Sequence, residues 1–175
     1  MDCHLIEDLA LSVRQQLRPG LSPAERVPLE RLLHDVTIAE LTVRATTDDL
    51  LPHHTWGMTT FERDRAWIWL NGEAWREVRT GTPRTRFTLA HELGHVVLHG
   101  EDIVDLFTRP IPEHHEQLEA EANRFAAHLL IPDASRKRLS GSQLKAEALA
   151  KRFNVSLKMV DNRLREWGLV DGYVA

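Results

Sequence analysis

The sequence predicts an α+β protein, mostly helical, with one small antiparallel sheet and a helix-turn-helix-like C-terminal region. Three observations carry this. Apolar residues recur at helical spacing in several segments, most clearly over 83–99 and 113–131. The block 38–71 is instead rich in β-branched and aromatic residues punctuated by turn signals. One of the helical segments also contains His91-Glu92-Leu93-Gly94-His95, two histidines one helical turn apart with a glutamate beside the first.

Taken in order, Leu5, Leu9, Leu11 and Leu17 among polar residues predict a helix over 1–17, broken by Pro19-Gly20 and Ser22-Pro23. A second helix is expected over 23–34, with Val27, Leu29, Leu32 and Leu33 apolar, and a strand over 38–45. Residues 48–54 read as a loop with His53 and His54 facing solvent. A hairpin follows: a strand around 56–61, a turn at Glu62-Arg63-Asp64, and a strand over 65–71 that is apolar on both faces at Trp67-Ile68-Trp69-Leu70. Its tryptophans are expected in the core, and the strand before the next long helix offers an edge to an extended peptide.

Residues 73–79 suit a short helix. Thr82-Pro83 then reads as an N-cap with proline at the first helical position, and Gly100 as the stop, giving a helix over 83–99 buried through Leu89, Leu93, Val96 and Val97. A loop with two prolines is expected over 101–112, then a helix over 113–131 closed by Pro132, with Leu118, Ala122, Phe125 and Leu129 as its buried stripe. Helices over 142–153 and 156–167, with Ser156 as N-cap between them, resemble a helix-turn-helix pair. The second helix carries Lys158, Arg163 and Arg165 against Asp161 and Glu166.

Composition narrows the class. With 175 residues, 42% apolar and 27% charged, the chain suits a soluble domain, alone or with a small appendage. Cys3 is its only cysteine, which excludes an internal disulfide and suits a reducing compartment. The first eight residues carry acids where a signal peptide carries basic groups, and the longest apolar run elsewhere, 66–70, is too short to span a bilayer. A cytoplasmic location without membrane contact is therefore expected. Residues 1–132 hold 13 Lys+Arg against 21 Asp+Glu, a net of −8, whereas 133–175 hold 9 against 5, a net of +4, with all four lysines. This split suggests two functional halves, and the chain is divided into an N-terminal helical segment (1–39), a core (40–132) and a basic tail (133–175). The tail's charge suits an ordinary solvated face or a binding surface equally.

The chemistry centres on 91–95. His91 and His95 lie on one face of their helix and can bind one metal ion from a single rigid element. Two neutral imidazoles and a third protein ligand leave Zn²⁺ an open position for water, whose pKa falls to about 7. Glu92, rotated by about 100°, is near enough to take the proton as the water attacks a carbonyl and to hand it to the leaving amine. The third ligand is sought in Glu119-Ala120-Glu121-Ala122-Asn123. Glu121 lies about 200° round the helix from Glu119, so the two cannot serve one metal. Glu119 is chosen because Asn123, at i+4, can then orient an imidazole. Tyr173, His114, His115 and nearby arginines are unranked candidates for the oxyanion donor.

These pieces together resemble the ImmA/IrrE family of zinc metallo-endopeptidases. The resemblance rests on Trp56-Gly57, the strand ending Leu70-Asn71, the run from Arg86 through His91-Glu92-Leu93-Gly94-His95, and the run from Glu119 through Asn123 to Pro132. It extends through the tail at 149–169 and covers roughly 40–170. It implies a gluzincin-like fold in which His91, His95 and Glu119 bind zinc and Glu92 is the catalytic base, with Mn²⁺ an alternative activating metal. It implies a cytoplasmic regulator that cleaves a helix-turn-helix repressor and so relieves repression of stress-response or mobile-element genes. His99, Glu116 and Glu121 are further donors that the family pattern does not require. The alternative from another class is a metal-bound module whose tail contacts DNA or a partner protein without turnover.

Overall fold

Ile6, Ala10, Val13 and Leu17 fall three or four residues apart and form the buried stripe of helix α1 (Cys3–Leu17), whose first turn is closed by the Asp2 side chain accepting from the His4 N–H. The computed structural model describes residues 2–48, 51, 54–106 and 115–169. The helix expected over 23–34 shrinks to one 3₁₀ turn, Leu29–Leu33. Pro28 is the reason, since it has no N–H to give and its ring would meet the carbonyl four residues back.

Four strands follow: β1 (Val36–Ile38), β2 (Leu41–Thr47), β3 (Gly57–Glu62) and β4 (Arg65–Leu70), in the spatial order β1-β2-β4-β3. The sheet is mixed, a departure from the antiparallel sheet expected. β3 runs back against the direction of β2, the hairpin turns β4 forward again, and β4 rather than β3 pairs with β2, which makes that pair parallel. β1 was not anticipated. It is three residues long, and its two-residue turn uses Ala39 and Glu40 at φ 50° and 67°, the left-handed conformations that glycine or asparagine usually announce. Along β4 alternate residues are buried, so Ala66, Ile68 and Leu70 face inward while Trp67 and Trp69 lie half-buried on the outer face rather than in the core. One inward row runs Ala45, Ile68, Thr59 across β2, β4 and β3.

Asn71 caps α2 (Gly72–Val78), accepting from the Ala74 N–H at 2.8 Å. The Thr82 hydroxyl receives the Thr85 N–H at the start of α3 (Pro83–Leu106). Gly100 does not stop α3. A methyl group there would make only an ordinary contact with the Phe61 ring at 3.5 Å, and the helix continues through it to Leu106, into part of the expected loop. The rest of that loop, from 107, lies outside the described residues. Helix α4 (His115–Leu130) packs antiparallel to α3. Their closest approach is at Gly94, where a Cβ would meet the Ala122 Cα and carbonyl oxygen at 3.1 Å. Lys145 is extended, so the expected helix over 142–153 divides into a 3₁₀ turn (Gly141–Leu144) and α5 (Ala146–Phe153). Helix α6 (Leu157–Glu166) begins at Ser156, whose hydroxyl accepts from the Met159 N–H as expected.

One apolar core runs through α1, the sheet, α3 and α4 to α5 and α6. Three buried arginines tie it together through backbone carbonyls that lack helical partners. Arg14 donates to Leu129 (2.7 Å) and to Ser22 and Glu25, Arg86 to Val27 and Asn154, and Arg163 to Ile131. Arg163 is thus not an exposed cation of the α6 surface. Its charge is spent inside on Asp133 and Glu166. No helix among the described residues is long and apolar enough to cross a membrane.

Candidate metal centre

Helix α3 brings His91 and His95 to one face, and the Gly94 contact lets α4 approach closely enough for Glu119 to reach them. The His91 and His95 Nε2 atoms lie 3.1 Å apart, His91 Nε2 lies 3.3 Å from one Glu119 oxygen, and His95 Nε2 lies 3.2 Å from the other. Metal bonds of about 2.0–2.1 Å in a tetrahedron put neighbouring donor atoms about 3.3 Å apart. The three residues therefore fit a single zinc ion. Hydrogen bonds alone leave the arrangement incomplete, because two imidazole nitrogens and a carboxylate converge on one point. The imidazoles hold the Glu119 carboxyl far below the usual carboxylate range. Burial acts to lower the His91 pKa, but Glu119 and Glu92 outweigh it and raise the value.

Each imidazole is braced from behind. His91 Nδ1 lies 3.1 Å from Asn123 Oδ1, the i+4 partner of Glu119. His95 Nδ1 lies 3.1 Å from His99 Nδ1, and His99 Nε2 in turn lies 3.1 Å from Glu121 Oε2. His99 and Glu121 thus point away from the donor triangle and form a carboxylate–imidazole–imidazole chain behind His95. Outer hydrogen bonds of this kind fix which ring nitrogen faces a metal. Glu116 is exposed to solvent.

Glu92 is 7% exposed, and its Oε2 accepts a 2.8 Å hydrogen bond from the Thr59 hydroxyl. Thr59 stands at the end of the inward row of the sheet, where β3 crosses α3. Burial pushes the Glu92 carboxyl above the usual range, opposed by His91 and by the Thr59 hydroxyl. β3 reaches this position because residue 57 is glycine. A Cβ there would lie 2.7 Å from Thr88 Cγ2 and 2.9 Å from Glu92 Cγ. The sequence reading named Gly57 only within the family resemblance and did not single out Thr59, whose one signal is a hydroxyl at an inward strand position.

The site opens into a cleft of about 480 Å³, walled by β3 at Gly57, Met58 and Thr59 and by Phe87 and Leu118. Leu118, expected in the buried stripe of α4, is half-buried as part of this wall. β3, rather than β4, is the sheet edge beside the cleft. Phe87 and Asn123 also line an adjoining groove of about 610 Å³ between α4 and α6, whose far side carries Lys158 and Asn162. Of the proposed oxyanion donors, Tyr173, His114 and the His115 side chain lie outside the described residues, as does His53; His54 is exposed.

A model of the IrrE N-terminal-like domain, a peptidase family, matches residues 40–165. No curated protein matches the chain. Among solved structures, one described as a Mycobacterium tuberculosis transcriptional regulator shares the fold at a TM-score of 0.55 and 16% identity, over 92% of this chain and 46% of that one. The chain thus spans about half the length of that protein.

Proposed function

The chain belongs to the IrrE N-terminal-like peptidase family, and from that premise we propose that it is a zinc-dependent endopeptidase of narrow specificity that cleaves a helix-turn-helix repressor. The observation that carries the reading is the pairing of a tetrahedral donor set with a separately held carboxylate in one open cleft. His91, His95 and Glu119 would hold the metal, with Mn²⁺ as an alternative to Zn²⁺. Bound there, the ion supplies Lewis acidity and brings the pKa of water to about 7. Every other part is the work of the chain's own side chains. Thr59 holds Glu92 Oε2, which leaves Oε1 to take the proton from the attacking water and return it to the departing amine. The unpaired edge of β3 aligns an extended substrate by main-chain hydrogen bonds.

Backbone contacts discriminate little between substrates, so selectivity requires a further surface. We assign that role to the tail: the groove between α4 and α6 runs into the cleft and presents Lys158 beside it. Under this reading the division of the chain into 1–39, 40–132 and 133–175 is functional, with chemistry in the middle part and substrate choice in the last. The exposed basic residues of the tail also favour, as a second reading, a module that binds DNA or a partner without turnover. Two facts weaken that alternative. On α6, Arg163 is buried and Arg165 is paired with Asp161, which leaves Lys158 as the cation most open to a phosphate. The alternative also has no use for the buried Glu92–Thr59 pair.

The deciding experiment incubates the purified chain, with and without Zn²⁺ or Mn²⁺, with a small helix-turn-helix repressor encoded beside it. Metal-dependent cleavage that disappears in Glu92→Gln supports the endopeptidase. Salt-sensitive duplex-DNA binding with an intact repressor gives the lead to the binding module.

A further inference from the structure

A second group of metal-ligating side chains lies outside the cleft, where the end of α4 meets α1. Glu7 on α1, His128 on α4 and Asp133 in the 3₁₀ turn after α4 place one donor atom each within 4.8 Å of one another. His128 is 8% exposed, and its buried Nδ1 has no hydrogen-bond partner among the described residues. A buried nitrogen left unsatisfied forfeits its bonds to water and calls for an explanation. The nearest carboxylate oxygen, Asp133 Oδ2, is 3.9 Å away, too far for a hydrogen bond. It is about 0.6 Å beyond the spacing of about 3.3 Å that neighbouring donors take around one ion.

The orientation of Asp133 is set from its other side. Its Oδ1 receives the Trp167 indole N–H at 2.6 Å and the buried Arg163 guanidinium, which turns Oδ2 toward His128 and Glu7. Glu7 makes no hydrogen bond through its carboxylate among the described residues, although it faces a second carboxylate. Burial and Asp133 both raise its pKa. Arg163, shared between Asp133 and Glu166, also lowers the Glu7 pKa, but burial and Asp133 outweigh it. The cluster therefore holds an excess of negative charge around a buried nitrogen lone pair. That combination is what a divalent cation balances.

We propose that Glu7, His128 and Asp133 form a second divalent-cation site, separate from the cleft, which clasps α1 to the end of α4. One imidazole and two carboxylates suit zinc, with cobalt and nickel as substitutes, and do not suit magnesium or calcium, which take oxygen ligands. Water completes the coordination. Drawing the three donors from within 4.8 Å of one another to the spacing of about 3.3 Å around one ion takes at most about 1.5 Å, which rotation of the side chains supplies.

The test uses the full chain, stripped by a chelator and titrated with zinc alone, reading metal per chain after gel filtration and the thermal midpoint. In a His91→Ala/His95→Ala background one zinc per chain should remain and should raise the midpoint. Adding either His128→Gln or Glu7→Gln should abolish both effects. In the otherwise wild-type chain, His128→Gln should lose one zinc of two. Glu7 is only partly buried, so its substitution keeps the fold even where His128→Gln does not. The site is overturned if the double-alanine chain binds no zinc at about 100 μM, roughly ten times the upper end of a useful structural affinity. It is equally overturned if that zinc persists in Glu7→Gln and His128→Gln. Failure of the cleft to bind zinc would appear separately, as a wild-type chain with one zinc that His128→Gln removes.

Discussion

Gly57→Ala separates the two halves of the catalytic arrangement. The added methyl would lie 2.7 Å from Thr88 Cγ2 and 2.9 Å from Glu92 Cγ, against an optimum of about 3.5–4.0 Å for carbon pairs. Relief requires β3 to lift from α3 by roughly 0.7 Å, judged from that same optimum. Overpacking of this size costs about 1–3 kcal/mol, which lowers the thermal midpoint by roughly 2–12 °C for a chain of this length. Thr59 lies two residues along the same face of the strand, so the lift also loosens its 2.8 Å bond to Glu92. A misplacement near 1 Å costs on the order of 10²-fold in rate. The atoms that the methyl meets belong to Thr88 and Glu92, not to His91, His95 or Glu119. Zinc affinity should consequently stay within about twofold, a change under 0.5 kcal/mol. Calorimetry, competition with a chromogenic chelator and repressor cleavage, run on one preparation, measure all three. Wild-type turnover at a wild-type midpoint would refute the argument, as would zinc loss in proportion to the loss of rate.

The remaining expectations concern charge. Burial raises the Glu92 pKa, so its ionised form costs stability above that raised value, and the cost vanishes below the ordinary glutamate pKa near 4.5. Metal-free Glu92→Gln should therefore melt above metal-free wild type at pH 7.5, by roughly 2–4 °C per kcal/mol relieved, with the gap closing as pH falls toward 4.5; a lower midpoint at pH 7.5 counts against it. The same variant loaded with zinc should bind metal normally and cleave about 10²–10⁴-fold more slowly. Glu119→Ala should lose the zinc of the cleft, whereas Glu121→Ala should keep its stoichiometry and weaken affinity there roughly 10-fold through the His99–His95 chain; metal analysis with the two outcomes exchanged would make Glu121 the ligand. Lys158→Glu should slow cleavage of the intact repressor roughly two- to fivefold at low salt, with less effect at high salt and little on a peptide of the cleaved loop. An equal effect on both substrates would remove the tail from substrate choice.

Much of the fold was legible because its elements follow local rules. The stripes of α1, α3 and α4 obey helical spacing, the β3–β4 hairpin alternates, and Ser156 and Thr82 cap their helices as their chemistry demands. What escaped depends on contacts distant in sequence. Gly100 looked like a terminator, but the chain stays helical through it to Leu106. Pro28 was visible and was given too little weight against the apolar spacing around it. Ala39 and Glu40 form a tight turn without either residue that usually signals one. Arg163 looked like surface charge, because nothing within α6 reveals that the carbonyl of Ile131 needs a donor. The convergence of His91, His95 and Glu119 was readable from helical angles, and the place of Asn123 behind His91 from the i+4 rule. Thr59 was not, because its role arises only once a strand 33 residues earlier crosses the helix bearing Glu92.

The bond from Arg14 to the Leu129 carbonyl spans 115 residues, and this has a consequence for the chain as it is made. Ribosomes add about 5–20 residues per second, so α1 emerges some 6–23 s before the helix end that it caps. Throughout that interval the stripe of Ile6, Ala10, Val13 and Leu17 lacks α4, against which most of it packs, and Arg14 lacks its third carbonyl. The hairpin of β3 and β4 and the contact of α3 with α4 need only nearer neighbours and can form first. Until α4 is made, α1 therefore offers an apolar segment for a chaperone to hold.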